Sequence, residues 1–328
     1  MIISKTPFRI SFVGGGTDLS VFYKKEPGRV ISTSINRYMY VLVKRQTCIV
    51  EYKYRINWSS PEFCNSIDEI QHPIVRESLK MLNINFPIEI STFSDIPAQT
   101  GLGSSSAFAV GLLNALCKLI GKKVDKHSLA EMAYKVEVGM VGRSMGSQDH
   151  FSCSYGGMNV IDFHSDGRVD VTPASCTKNE REILETKIIL FYTNIKRNAS
   201  KILKVQESET LKKFNTLKKM KELVRPLEES IPIGDDRFGR ILHENWMLKK
   251  EVSKLISSDQ IDSYYKLAID SGAIGGKLLG AGLGGFLMFF VNAKDKQSVI
   301  EAMDGLYCLD IEFEENGTRI VYNEADLL

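Results

Sequence analysis

The 328-residue chain carries almost no excess of charge, since 42 Lys and Arg against 40 Asp and Glu leave a formal +2. No global field therefore points to nucleic acid or to an anionic membrane surface, and small-molecule chemistry is the expectation. The six cysteines, at positions 48, 64, 117, 153, 176 and 308, show no Cys-x-x-Cys spacing, and the five histidines form no i, i+4 pair. A zinc site of the usual spacing is excluded. No apolar run reaches membrane-spanning length and no basic-then-apolar segment opens the chain, so a cytoplasmic protein with free thiols is expected. Neither a Walker loop nor a dinucleotide fingerprint is present: the glycine-serine stretch at 101–106 lacks a following Lys-Ser/Thr pair and a third glycine.

That stretch is nonetheless the focus of the chain. Glu89–Ser94 alternates like a strand, and Ala107–Ile120 is apolar nearly all round and closes at Gly121, as a buried helix would. Between them lie Gly101, Leu102, Gly103, Ser104, Ser105 and Ser106. The glycines allow close backbone approach, and the open N–H groups and positive dipole end of the helix favour phosphate. The serines add hydroxyl donors and candidate magnesium ligands. The bland reading is a serine-capped helix after a flexible turn.

Phe8–Val13 reads as a strand with Phe8, Ile10 and Phe12 on one face and Arg9 and Ser11 on the other. It runs into Gly14, Gly15, Gly16, Thr17 and Asp18, and three ordered glycines fit a ligand lying against the backbone better than a plain turn. Asp18 offers a carboxylate to sugar hydroxyls and Arg9 a fixed charge. A hairpin is expected over Tyr38–Lys44 and Thr47–Tyr52, and a helix over Ile67–Asn83. A further helix runs from Asp125 or Ser128 to about Val138 and carries Glu137 at its far end. Residues 139–150 read as an irregular, glycine-spaced turn beside a cleft. There Asp149 is either a turn residue or a carboxylate that takes a proton from an attacking hydroxyl, and His150 is read as structural.

The length suggests two domains, divided before the strand Lys187–Thr193 into residues 1–186 and 187–328. A long helix is expected from Ala199 to Arg225, and ten basic against three acidic residues between Lys196 and Arg225 make a solvated face or a steering surface for an anion. Helices are expected over Arg237–Ser257 and Ile261–Ser271. Seven glycines within residues 272–285, which include Lys277, lead directly into the apolar strand Phe286–Val291. Such a segment is expected to pack its backbone against the serine loop. A helix over Asp295–Leu306 and strands near Leu309–Phe313 and Thr318–Tyr322 are expected to complete an α+β second domain.

Taken in order, the segments 7–18, 97–107 and 275–286 resemble the three motifs of the GHMP kinases. The resemblance spans almost the full chain and implies a two-domain α+β fold with ATP, Mg²⁺ and a sugar in the interdomain cleft. Position by position it implies that Ser105 and Glu137 hold magnesium, that Asp149 is the catalytic aspartate, and that Arg9 is an active-site arginine. It further implies that Gly101–Ser106 surround the phosphates, and that Gly15, Gly16, Thr17, Asp18 and Lys277 meet the sugar. Gly15 and Gly16 stand where galactokinases carry Glu-His, which weighs against galactose. The first motif looks most like that of the D-glycero-D-manno-heptose 7-phosphate kinases and related L-fucokinase domains. The implied reaction is ATP-dependent phosphorylation of an anomeric hydroxyl, giving a heptose 1,7-bisphosphate for nucleotide-activated heptose and surface glycans, with Arg197, Lys196 and Lys201 as candidates for the distal phosphate. The alternatives are a neutral-sugar 1-kinase such as an L-fucokinase, or a catalytically silent sugar and ATP sensor. Leu283 stands where the family usually has glycine, a change expected to stiffen the third loop.

Overall fold

The computed structural model describes residues 1–195, 209–210 and 212–324. Arg197, Lys196 and Lys201 lie outside them. The fold is α+β, built on two sheets. The strands of the first are β1 (Ile2–Val13), β2 (Gly28–Arg45), β3 (Tyr54–Asn57), β4 (Glu62–Cys64), β5 (Ile88–Ser94), β6 (Met158–Phe163) and β7 (Val169–Pro173), with β12 (Arg319–Asn323) added from the chain's far end. Their order is β12-β1-β2-β5-β3-β4, and β6 and β7 extend from β2. The second sheet takes β8 (Ile188–Tyr192), β9 (Ala273–Leu278), β10 (Phe286–Val291) and β11 (Tyr307–Leu309) in the antiparallel order β11-β8-β10-β9.

Several local expectations are corrected. The second arm of the expected 38–52 hairpin is loop, and β2 pairs instead with β5, Met39 opposite Ser94. The helix expected over Ile67–Asn83 is a short 3₁₀ turn followed by the helix Pro73–Met81, because Pro73 sets its first turn. The strand expected to finish the second domain pairs with β1, Ile2 opposite Asn323. Of the long helix expected over Ala199–Arg225, the described residues show helices at Phe214–Glu222 and Val224–Ser230. Among the described residues no helix is long and apolar enough to cross a membrane.

The alternation of β1 positions the site. Phe8, Ile10 and Phe12 enter a core that also holds Phe238, Met288 and Phe290, so the two halves share one apolar cluster. Phe12 meets Phe238 edge to face at 5.2 Å. The first sheet is backed by the helix Ser104–Leu119, whose Phe108, Leu112 and Leu116 join Val41, Val43 and Ile90 in a second cluster. Each such fully buried side chain contributes about 1.5–3 kcal/mol. The glycine loop is thereby seated on a fixed helix.

Candidate active site

Opposite that core, Arg9 and Ser11 line a cavity of about 560 Å³ together with Gly15, Gly16, Asp18, Gly101, Gly103, Ser104, Ser105, Ser106, Asp149 and Lys277. The three glycine-bearing segments thus meet at one place. Gly103 adopts φ 77° as the residue before the helix Ser104–Leu119 and has no side chain with which to cap it, which leaves the first-turn N–H groups open. A Cβ at Gly103 would press on Arg9 Cγ at 3.2 Å. The third segment packs on the loop as expected: the Phe286 N–H donates to Thr100 O at 3.1 Å, and a Cβ at Gly285 would lie 2.1 Å from that oxygen. Leu283 adopts φ 54°, the left-handed region that the family's glycine would occupy without strain.

Arg9 and Asp149 form a two-pronged ion pair, Nε to Oδ1 at 2.7 Å and Nη2 to Oδ2 at 2.6 Å. Arg9 Nη1 donates to Gly101 O at 2.7 Å, so one guanidinium ties the aspartate to the glycine-serine loop. Burial opposes the charge on Arg9, but Asp149 outweighs it and raises its pKa above the ordinary value. Asp149 does not lie in an irregular turn. It sits in the first turn of the helix Gln148–Tyr155, where an acidic residue also suits the dipole.

Asp18 is held from both sides, Oδ1 accepting from Gly16 N at 2.9 Å and Oδ2 from Gln148 N at 3.3 Å. Burial, and then the neighbouring charge of Asp149, pushes its carboxyl up. Gln148 also accepts the Ser11 hydroxyl at 2.9 Å. Lys277 is buried and donates to Ser11 O at 2.8 Å and Phe12 O at 2.7 Å, clamping β9 to the end of β1. Burial, together with Lys249 and Arg9, lowers its pKa well below the ordinary lysine value.

Glu137 is fully buried, on a π-helical turn at Lys135–Met140 that continues the helix Lys126–Tyr134. Its Oε1 accepts from Ser105 Oγ at 2.5 Å and its Oε2 from His150 Nε2 at 2.8 Å. Arg143 Nη1 donates to the same Oε1 at 2.6 Å and to Ser105 Oγ. Burial alone would raise the Glu137 carboxyl, but His150, Arg143 and Ser105 hold it below the ordinary value. A hydroxyl and a carboxylate already bridged by a cation are the hard-oxygen pair that suits Mg²⁺, and Ser106 Oγ beside them is buried without a partner. Among the described residues no group of three or more His, Cys, Asp and Glu gathers around a metal position. A divalent ion here would take these two oxygens and fill its remaining positions with water, or with nucleotide phosphates once these are bound.

Three residues expected at the site stand behind its lining. Leu102, Thr17 and Glu137 are not among the described residues lining the cavity. The Leu102 side chain is core and its carbonyl accepts from Arg9 N at 3.1 Å, while Thr17 Oγ1 latches the first turn to Gly14 O at 2.8 Å. Glu137 stands behind Ser105 and Arg143. The sequence reading missed Arg143, Gln148 and the contact of His150 with Glu137. Successive helical positions diverge, which carries His150 away from Asp149 and onto Glu137.

The chain matches the models for the GHMP kinases N terminal domain over residues 72–157 and the GHMP kinases C terminal domain over residues 233–307. It is 30% identical to a D-glycero-alpha-D-manno-heptose 7-phosphate kinase of Campylobacter jejuni, over 97% of this chain and 98% of that one. It is 24% identical to a bifunctional fucokinase/GDP-fucose pyrophosphorylase of Arabidopsis thaliana, over 90% of this chain and 30% of that one. A solved D-glycero-D-manno-heptose 1-phosphate kinase from Bacteroides thetaiotaomicron superposes with a TM-score of 0.81 at 23% identity, over 98% of this chain and all of the other. With three glycine segments meeting at one cavity and a relative matched end to end at this identity, the chain belongs to the GHMP kinase family.

Proposed function

We propose that the protein transfers the γ-phosphoryl group of ATP to the anomeric hydroxyl of D-glycero-D-manno-heptose 7-phosphate. The observation that carries this reading is the Arg9–Asp149 pair, held against the Gly101 carbonyl at the phosphate loop. Phosphoryl transfer rests on positioning and charge neutralisation. Asp149 orients the attacking hydroxyl and receives its proton, and Arg9 fixes the rotamer of Asp149 while facing the charge that develops on the transferred group. The N–H groups of the Gly101–Ser106 loop hold the phosphates. Mg²⁺, when bound through Ser105 and Glu137, supplies neutralisation across the phosphate oxygens.

For the sugar we assign Gly15, Gly16 and Asp18, with Thr17 as the latch of that turn. Lys277 lines the same cavity with its nitrogen held by the Ser11 and Phe12 carbonyls, and Lys249 brings an ammonium group there, the charge a phosphosugar needs away from its reacting carbon; Arg197 is a further candidate. We place the domain division near residue 187, with residues 319–323 returning to the first sheet. The relative matched end to end supports heptose 7-phosphate over L-fucose. An intact Arg9–Asp149 pair speaks against a silent sensor.

ADP release over a sugar panel tests the reading. kcat/KM for heptose 7-phosphate should exceed that for L-fucose by two orders of magnitude or more, since a desolvated phosphate contact is worth a few kcal/mol. A preference for the neutral sugar would overturn the substrate and leave the kinase standing. Absence of ADP release with every sugar would overturn both.

A further inference from the structure

Arg143 occupies a singular position. Its Nη1 sits on Ser105 Oγ and Glu137 Oε1 together, the two oxygens assigned above to the metal. Its side chain is 31% exposed toward the cavity, whereas that of Glu137 is 0% exposed. The arginine is the outer member of the pair and covers the carboxylate. A guanidinium and a divalent ion cannot hold the same two oxygens at once, because two cations at bonding distance from one oxygen repel strongly in a buried site.

The surrounding chain allows movement. Residues 142–146 have no regular secondary structure, Gly142 adopts φ 77°, and a Cβ placed there would meet nothing within 4 Å. The Arg143 N–H donates to Glu137 O at 3.0 Å, so the backbone remains tethered while the long side chain swings. Ser104, Ser105 and Ser106 line the same cavity, which gives the released guanidinium an anionic destination once nucleotide phosphates are bound.

We propose that Arg143 is an exchangeable internal cation: it neutralises Glu137 in the resting enzyme and must leave Ser105 and Glu137 for a divalent ion to enter. This rests on the assignment of Ser105 and Glu137 as metal ligands and not on the identity of the sugar, so its test needs no sugar and no turnover.

The probe is Mn²⁺ alone, titrated into nucleotide-free protein and followed by the loss of its free-ion electron paramagnetic resonance signal. Arg143→Gln should bind Mn²⁺ at least tenfold more tightly than the wild type, and Arg143→Lys should fall between them. The melting temperature of Arg143→Gln should drop in chelator and recover with Mn²⁺, while that of the wild type moves little. A folded Arg143→Gln that binds Mn²⁺ no more tightly than the wild type overturns the proposal. Should that variant not fold, the wild type decides: Mn²⁺ should speed phenylglyoxal modification of Arg143 several-fold, read by peptide mass spectrometry, and an unchanged rate refutes the exchange. Failure of heptose 7-phosphate as substrate would leave these outcomes untouched.

Discussion

Gly146→Ala offers a sharp test of how Asp18, the carboxylate proposed for the sugar, is held. The φ of Gly146 lies outside the left-handed region, so its backbone accepts alanine without strain. The space does not. A Cβ there would lie 1.9 Å from Asp18 Oδ2, 2.3 Å from Asp18 Cγ and 2.9 Å from the Asp18 backbone oxygen, against ordinary contact from 3.4 Å. Asp18 would have to retreat by more than an ångström, breaking the 3.3 Å bond from Gln148 N and straining the 2.9 Å bond from Gly16 N. Hydrogen bonds to a charged group are worth about 1.5–3 kcal/mol each, so roughly 2–4 kcal/mol is at stake, shared between folding and sugar binding. The sugar KM should therefore rise roughly 10- to 100-fold, with the Kd of a non-hydrolysable ATP analogue within about twofold of wild type. Steady-state ADP release and calorimetry measure the two. Gly139→Ala is the control, since its Cβ meets only Lys135 Cγ at 3.6 Å. A Gly146→Ala enzyme with wild-type sugar KM would refute both the fixed geometry and the sugar role of Asp18.

Asp149→Asn should lower kcat by roughly 10²–10⁴ with nucleotide affinity nearly intact; stopped-flow and calorimetry separate the two, and near-normal turnover would remove Asp149 as proton acceptor. Ser105→Ala should weaken Mg²⁺-nucleotide binding by an amount that shrinks as Mg²⁺ is raised, and a loss insensitive to Mg²⁺ would dismiss the ligand role. His72 caps the helix Pro73–Met81, its Nδ1 accepting from Val75 N at 3.4 Å, and burial lowers its pKa from 6.5 to about 4. Between those values the unfolded chain takes up a proton that the folded one refuses, so stability falls as the pH drops. His72→Asn, which keeps a capping acceptor, should recover on the order of 2–3 kcal/mol of that acid loss in urea titrations, and an unchanged pH profile would contradict the burial argument.

The site was legible where local pattern decides geometry. Alternation in β1 put Arg9 and Ser11 opposite Phe8, Ile10 and Phe12, and strand, glycines and apolar helix in succession exposed the glycine-serine loop. Pattern failed where partners are distant. The strand at 319–323 is visible as a strand, but nothing local tells it to join β1 rather than the second sheet. Asp149 was read within an irregular segment, as a turn residue or a proton acceptor, because Gly139, Gly142 and Gly146 precede it and hide the start of the short helix Gln148–Tyr155. Arg143 is a lone charge in irregular chain, and only its spacing of six residues from Glu137 could have drawn attention to it. The roles of Glu137 and Asp149 came from the family resemblance and not from periodicity.

The central claim, transfer to the anomeric oxygen of a phosphorylated sugar, is tested most directly by phosphorus NMR of the product formed from ATP and D-glycero-D-manno-heptose 7-phosphate. The account predicts ADP and a sugar with two phosphate signals, the new one coupled to the anomeric proton. A new phosphate coupled to any other carbon-bound proton, or ATP left unconsumed with heptose 7-phosphate when a parallel reaction phosphorylates L-fucose, would contradict it.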